Sequence, residues 1–148
     1  MKRLIYLALF FTTSCSMASE TVTDRIELLE KNIHLATIDE KCYLINGENR
    51  LLLHPKPPCH FLRVPDKSPQ YYAYPKVGVD AALIVAGTPI SDSIRKEWGI
   101  SENLICGFQS QGVLIKDGKV SVTDKTLDGG VLCRDEGADE KNYWYISH

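Results

Sequence analysis

Four cysteines constrain this chain more than any other feature. Cys42, Cys59, Cys106 and Cys133 form an even set spread through the body of the sequence, and in an exported domain such a set is a disulfide framework. Four cysteines allow three pairings. Cys42–Cys59 with Cys106–Cys133 is the expected arrangement, because each pair brackets a hairpin whose outer ends lie close together. On the chain-entropy account each closed loop contributes about 3 kcal/mol. Metal binding is the competing use of cysteine, and no C-x-x-C or H-x-x-x-H spacing supports it.

Export is read from the N-terminus. Lys2 and Arg3 precede an uninterrupted apolar run, Leu4 to Phe11. Eight such residues reach only about 12 Å as a helix, against a hydrocarbon core of about 30 Å. A short apolar run between basic and small residues is the build of a secretory signal. Ser16-Met17-Ala18 places small side chains where a signal peptidase reads, so residues 1–18 are expected to be removed. The alternative is a lipoprotein cut before Cys15 and anchored there, although Thr12 stands where that signal usually has a branched aliphatic residue. The destination is periplasmic or extracellular, most simply a bacterial periplasm.

Residues 19–148 then form one domain, too short for two comfortable cores. Of 17 basic and 19 acidic residues the leader takes two basic ones, leaving 15 against 19, or −4. That balance argues against nucleic acid, whose phosphates call for a basic stripe. No second apolar stretch is long enough to span a membrane. The longest, Val79 to Ala86, contains Asp80 and has the length of a strand.

Element signals follow along the chain. Thr21 to Asp24 offers a capping pattern, and Ile26, Leu29 and Ile33 recur at helical spacing, so a short helix is expected within 19–36. Cys42 to Ile45 and Arg50 to His54 flank Asn46-Gly47-Glu48-Asn49, a hairpin on an Asn-Gly turn. Pro55, Pro57 and Pro58 end it, and Cys59 to Val64 reads as a third strand. Val79 to Ala86 is the candidate central strand. Ser91 or Asp92 caps a short helix through Trp98, with Gly99 as its left-handed stop. Asn103 to Phe108 is a strand, and Gly112 to Ile115 and Lys119 to Thr123 form a second hairpin about Lys116-Asp117-Gly118. Leu127 to Arg134 and Tyr143 to Ile146 are expected as further strands. Together these predict an α+β domain: a mainly antiparallel β-sheet, one or two short helices and two disulfides.

Catalytic signatures are weak. Gly107-Phe108-Gln109-Ser110-Gln111-Gly112 approaches the nucleophile elbow G-x-S-x-G, but its first spacing is one residue too long and a strand follows. A glycine-flanked turn or bulge is the better reading. His54 and His60 flank Pro55 to Pro58 and have room to meet across that loop, without the spacing of a metal pair. Asp135 to Glu140 lacks the ligand register of a calcium loop and reads as solvated. Gly129-Gly130 lacks the Lys-Ser/Thr of a phosphate loop. No catalytic residue, metal or cofactor is therefore expected.

What remains is aromatic. Tyr71, Tyr72 and Tyr74 sit between Pro69 and Pro75, beside Lys67 and Lys76. Tyrosine carries much area on few rotatable bonds and keeps a hydroxyl, which suits a recognition surface. The competing reading turns Tyr72 and Tyr74 into the core as strand residues. The expected function is binding of another macromolecule, as an inhibitor or immunity-type factor would, with Tyr71, Tyr72, Tyr74 and Lys76 at the contact. The alternatives are a secreted hydrolase assembled from separate loops and the lipoprotein anchored through Cys15.

Overall fold

In a computed structural model of the chain, residues 18–148 are described. The expected signal peptide, apart from Ala18, and the alternative lipid site at Cys15 lie outside the described residues.

Two antiparallel sheets and two short helices make up the domain. The first sheet is a four-stranded meander: β1 (Thr21–Leu28), β2 (Lys31–Ile38), β3 (Lys41–Asn46) and β4 (Asn49–Leu52), in that order. The second contains β5 (His60–Phe61), β6 (Tyr72–Tyr74), β7 (Val79–Pro89), β8 (Cys106–Lys116) and β9 (Lys119–Cys133). Its order is β5-β7-β8-β9, with β6 also paired to β7. Helix α1 (Asp92–Glu97) follows β7, and α2 (Glu140–Ser147) ends the chain. The α+β expectation holds, with 53% of the described residues in strands.

The helix expected within 19–36 is instead the β1–β2 hairpin. Its turn is Leu29-Glu30, both left-handed at φ 48° and 59°. Neither residue is one that usually announces such a turn. Ile26 and Leu28 on one strand and Ile33 and Leu35 on the other point into the core, whereas Leu29 is exposed at the tip. The helical spacing of Ile26, Leu29 and Ile33 is therefore coincidence. Asp39-Glu40 repeats the same turn between β2 and β3.

Strand β7 explains the apolar run. Ala81, Leu83 and Val85 face the first sheet, in a core with Ile33, Leu35, Leu44 and Phe61. Ala82, Ile84 and Ala86 face the other way, toward Leu114 and the α2 residues Tyr143 and Ile146. Burial on both faces removes the usual alternation of a half-solvated strand. The layers are thus sheet, sheet and helix.

Both disulfides pair as expected. Cys42–Cys59 spans a Cα separation of 6.2 Å and ties the first sheet to the start of the second. Cys106 and Cys133 face each other across β8 and β9, 4.0 Å apart at Cα. Asp24 adds a polar link, accepting from Phe61 N at 2.8 Å and from the Arg63 guanidinium at 2.6 Å.

Other boundaries shift. The third strand shrinks to His60–Phe61, because Arg63 N leaves the β7 ladder to donate to Arg134 O. The separate strands expected over 103–115 and 119–134 are continuous as β8 and β9, with two irregularities in their register. Gly107 and Gly112 form no elbow or turn, but each adjoins one of those two irregularities, in keeping with the bulge reading. A Cβ on Gly107 would collide with the Gly87 carbonyl of β7, and one on Gly112 would lie 2.7 Å from Ile146 Cβ. Both are needed for close approach. Helix α1 is as expected, capped by Ser91 and followed by Gly99 at φ 65°.

Candidate functional site

The predicted tyrosine segment and the C-terminal helix meet. Residues 143–146, expected as a strand, lie within α2. Asp139 caps this helix by accepting from Lys141 N at 2.8 Å, which gives one acid of the presumed solvated loop a structural task. Tyr143 and Ile146, three apart, fill the buried stripe, and Trp144 and Tyr145 are left outside.

Gln70 fastens the two segments. Its Nε2 donates to Ala138 O at 2.9 Å, and its Oε1 accepts from Ala138 N at 2.8 Å and from the Tyr143 hydroxyl at 2.9 Å. Burial, and then the neighbouring Tyr72 and Tyr74, keep the Tyr143 hydroxyl protonated far above its ordinary range.

The four predicted contact residues divide by position. Tyr72 and Tyr74 lie on β6, paired with Ala82 and Val79 of β7, and both are half-buried toward α2. The Tyr72 ring is tilted on Tyr143 at 4.9 Å. Tyr74 meets His148 edge-on at 5.2 Å, and its hydroxyl donates to Glu140 O at 3.5 Å. Burial, followed by the Glu140 carboxylate, raises its hydroxyl pKa. Tyr71 precedes the strand and is 43% exposed. Lys76 lies in the 3₁₀ turn Pro75–Val77 and is also exposed. Tyr72 and Tyr74 thus turn toward the core as strand residues, and Tyr71 stays exposed.

Aromatic residues beyond that segment extend the surface. Trp144 is 55% exposed, with its ring stacked on His148 at 4.5 Å and 15°. Tyr74, His148 and Trp144 therefore form one continuous row. Reading Tyr143 to Ile146 as a strand concealed Trp144, since alternation does not reveal a helical face. The signal that would have found it is the N-cap Asp139 ahead of an i, i+3 apolar pair.

The remaining candidates do not assemble. Ser110 is buried in β8 and its hydroxyl donates to Leu127 O. His54 is exposed, whereas His60 is 4% exposed with no hydrogen-bond partner on either ring nitrogen among the described residues. The two rings thus make no bonded pair. Burial pushes the His60 pKa down to about 4. Asp24 and Asp135 oppose that shift, and Arg134 and Arg63 reinforce it. Among the described residues no three His, Cys, Asp or Glu side chains are grouped to hold a metal. No described helix is long and apolar enough to cross a membrane. Comparison with protein-family models, curated proteins and solved structures found no match to this chain.

Proposed function

We propose that this chain is an exported domain that recognises another protein, acting in the bacterial periplasm as an inhibitor or immunity-type factor. The observation that carries this reading is the aromatic row on α2 and β6, with Trp144 exposed at its end and held flat on His148. An exposed indole already ordered by stacking loses little freedom on binding, and tryptophan and tyrosine are the usual anchors of interfaces. Two disulfides suit an oxidising compartment, in keeping with the basic and apolar leader cleaved after Ala18.

Within this reading Trp144 is the anchor, and Tyr71 and Tyr74 add area. Tyr72 supports the row from beneath through Tyr143. Lys67 and Lys76 favour an acidic rim on the partner.

The experiment is capture from the native envelope under oxidising conditions, run in parallel with Trp144→Ala, Tyr71→Ala and the unaltered domain. A protein retained by the unaltered domain and lost with Trp144→Ala, at unchanged melting temperature, supports the reading. Equal retention by all three, or no specific protein retained, refutes it.

A further inference from the structure

A second surface on α2, on the side of Tyr145 rather than Trp144, has the chemistry of a small-ligand site. Here α2 and β9 enclose a groove of about 390 Å³. Its walls include Thr126, Asp128, Gly130, Leu132, Asn142 and Tyr145. Volumes of roughly 300–1,000 Å³ with a few placed polar groups are the usual form of small-molecule sites.

Two irregularities of β9 build this groove. Gln111 pairs with Thr126 but Val113 pairs with Val122, so residues 123–125 bulge. That bulge brings Lys125 beneath the helix, where its ammonium donates to Tyr145 O at 3.0 Å and lies 5.1 Å from the centre of the Tyr145 ring. One side of the ring is thereby fixed. Gln109 pairs with Asp128 but Gly107 pairs with Leu132, so residues 129–131 bulge as well. Gly129 is left-handed at φ 85°, and no atom lies within 4 Å of where a Cβ on Gly130 would stand, which leaves the backbone open at the groove wall. Bulges that re-aim side chains beside a site are a recurrent device.

The polar groups are set but not used up. The Thr126 hydroxyl donates to Asp128 Oδ2 at 3.1 Å, which orients the carboxylate. Among the described residues, Asp128 Oδ1 and the Asn142 side-chain amide have no protein partner, and both residues line the groove, Asp128 exposed and Asn142 half-buried.

We infer that this groove binds a neutral polyhydroxylated ring, a saccharide unit, with its C–H face on Tyr145 and its hydroxyls on Asp128 and Asn142. The charges favour a neutral occupant over a cationic one. Lys125 already lies over the Tyr145 ring, so an ammonium or guanidinium brought to that ring meets a like charge. Vicinal hydroxyls donate to the carboxylate and exchange bonds with the amide, whose donor and acceptor lie side by side. This site is separate from the protein-binding row, and its test stands independently of that reading.

The test is amide NMR of the disulfide-intact domain titrated with chitotriose, maltotriose and cellotriose, with acetyl-lysine methylamide as the cationic control. At least one trisaccharide is expected to give saturable shifts at Asp128, Gly130, Asn142 and Tyr145, with a Kd of about 1 mM or tighter. Asn142→Ala and Asp128→Ala, checked to keep the native spectrum elsewhere, should each weaken it about tenfold. Shifts confined to other residues, no saturable shift with any trisaccharide, or stronger binding of the lysine compound would overturn the assignment.

Discussion

His60 makes the domain sensitive to acid, with a magnitude set by its surroundings. Its ring is 4% exposed, lacks a protein hydrogen-bond partner among the described residues, and has a pKa near 4 instead of the ordinary 6.5. Burial is the main cause. Arg134 and Arg63 assist and the carboxylates of Asp24 and Asp135 oppose, the four coming from β1, the segment after β5 and the segment after β9. Well above pH 6.5 the ring is neutral in both folded and unfolded chains and contributes no pH dependence. As pH falls from 6.5 toward 4 the unfolded chain takes up a proton that the folded one refuses, and stability is lost across that window. The full difference is about 3 kcal/mol, of which most is lost by pH 4.5. Urea unfolding of the unaltered domain and His60→Gln, at pH 7.5 and 4.5, separates this loss from that of other groups. The unaltered domain should lose about 2–3 kcal/mol more than the variant. Should the glutamine variant fail to fold, the His60 ring protons followed by NMR give the pKa directly. Equal losses, or a measured pKa at or above 6, refute the argument.

Three further outcomes follow from the packing. Gly107→Ala should cost about 3 kcal/mol or more by urea unfolding, because the new methyl meets the Gly87 backbone rather than a movable side chain; a loss under 1 kcal/mol would show that β7 and β8 can part. Breaking Cys42–Cys59 or Cys106–Cys133 by serine should cost about 3 and 3.5 kcal/mol, since the bridges close separations of 17 and 27 residues; an unchanged melting temperature after full reduction would show that the core suffices alone. Overnight EDTA should leave the melting temperature unmoved, and a fall restored by zinc or calcium would redirect attention to His54, His60 and Asp135 to Glu140.

What was legible in the residues follows where local chemistry and tertiary structure agree. Asn46-Gly47 and Asp117-Gly118 mark their hairpins because glycine accepts a left-handed backbone without strain. The length of Val79 to Ala86 and its apolarity, broken only by Asp80, correctly gave the central strand, since both of its faces are covered beyond that residue. The cysteine pairing followed from those hairpins. The β1–β2 hairpin was hidden because leucine and glutamate occupy its left-handed turn, a choice that sheet pairing imposes against local preference. Tyr143-Trp144-Tyr145-Ile146 was hidden for the opposite reason, as β-favouring residues are held helical by Asp139 and by the burial of Tyr143 and Ile146. The candidate site was therefore half visible. Tyr71 to Lys76 could be selected from composition, but the row that Tyr74 shares with His148 and Trp144 depends on a helix that composition obscured.

The account rests on recognition through that row, and site-specific photocrosslinking in the native host tests it most directly. A benzophenone amino acid is placed at Trp144 or Tyr71, and at Asp39 or Glu48 on the exposed turns of the first sheet. The account predicts one discrete adduct of the same mass from Trp144 and Tyr71 and none from the two turns. Adducts of equal yield at all four positions, or none at Trp144 and Tyr71, would contradict it.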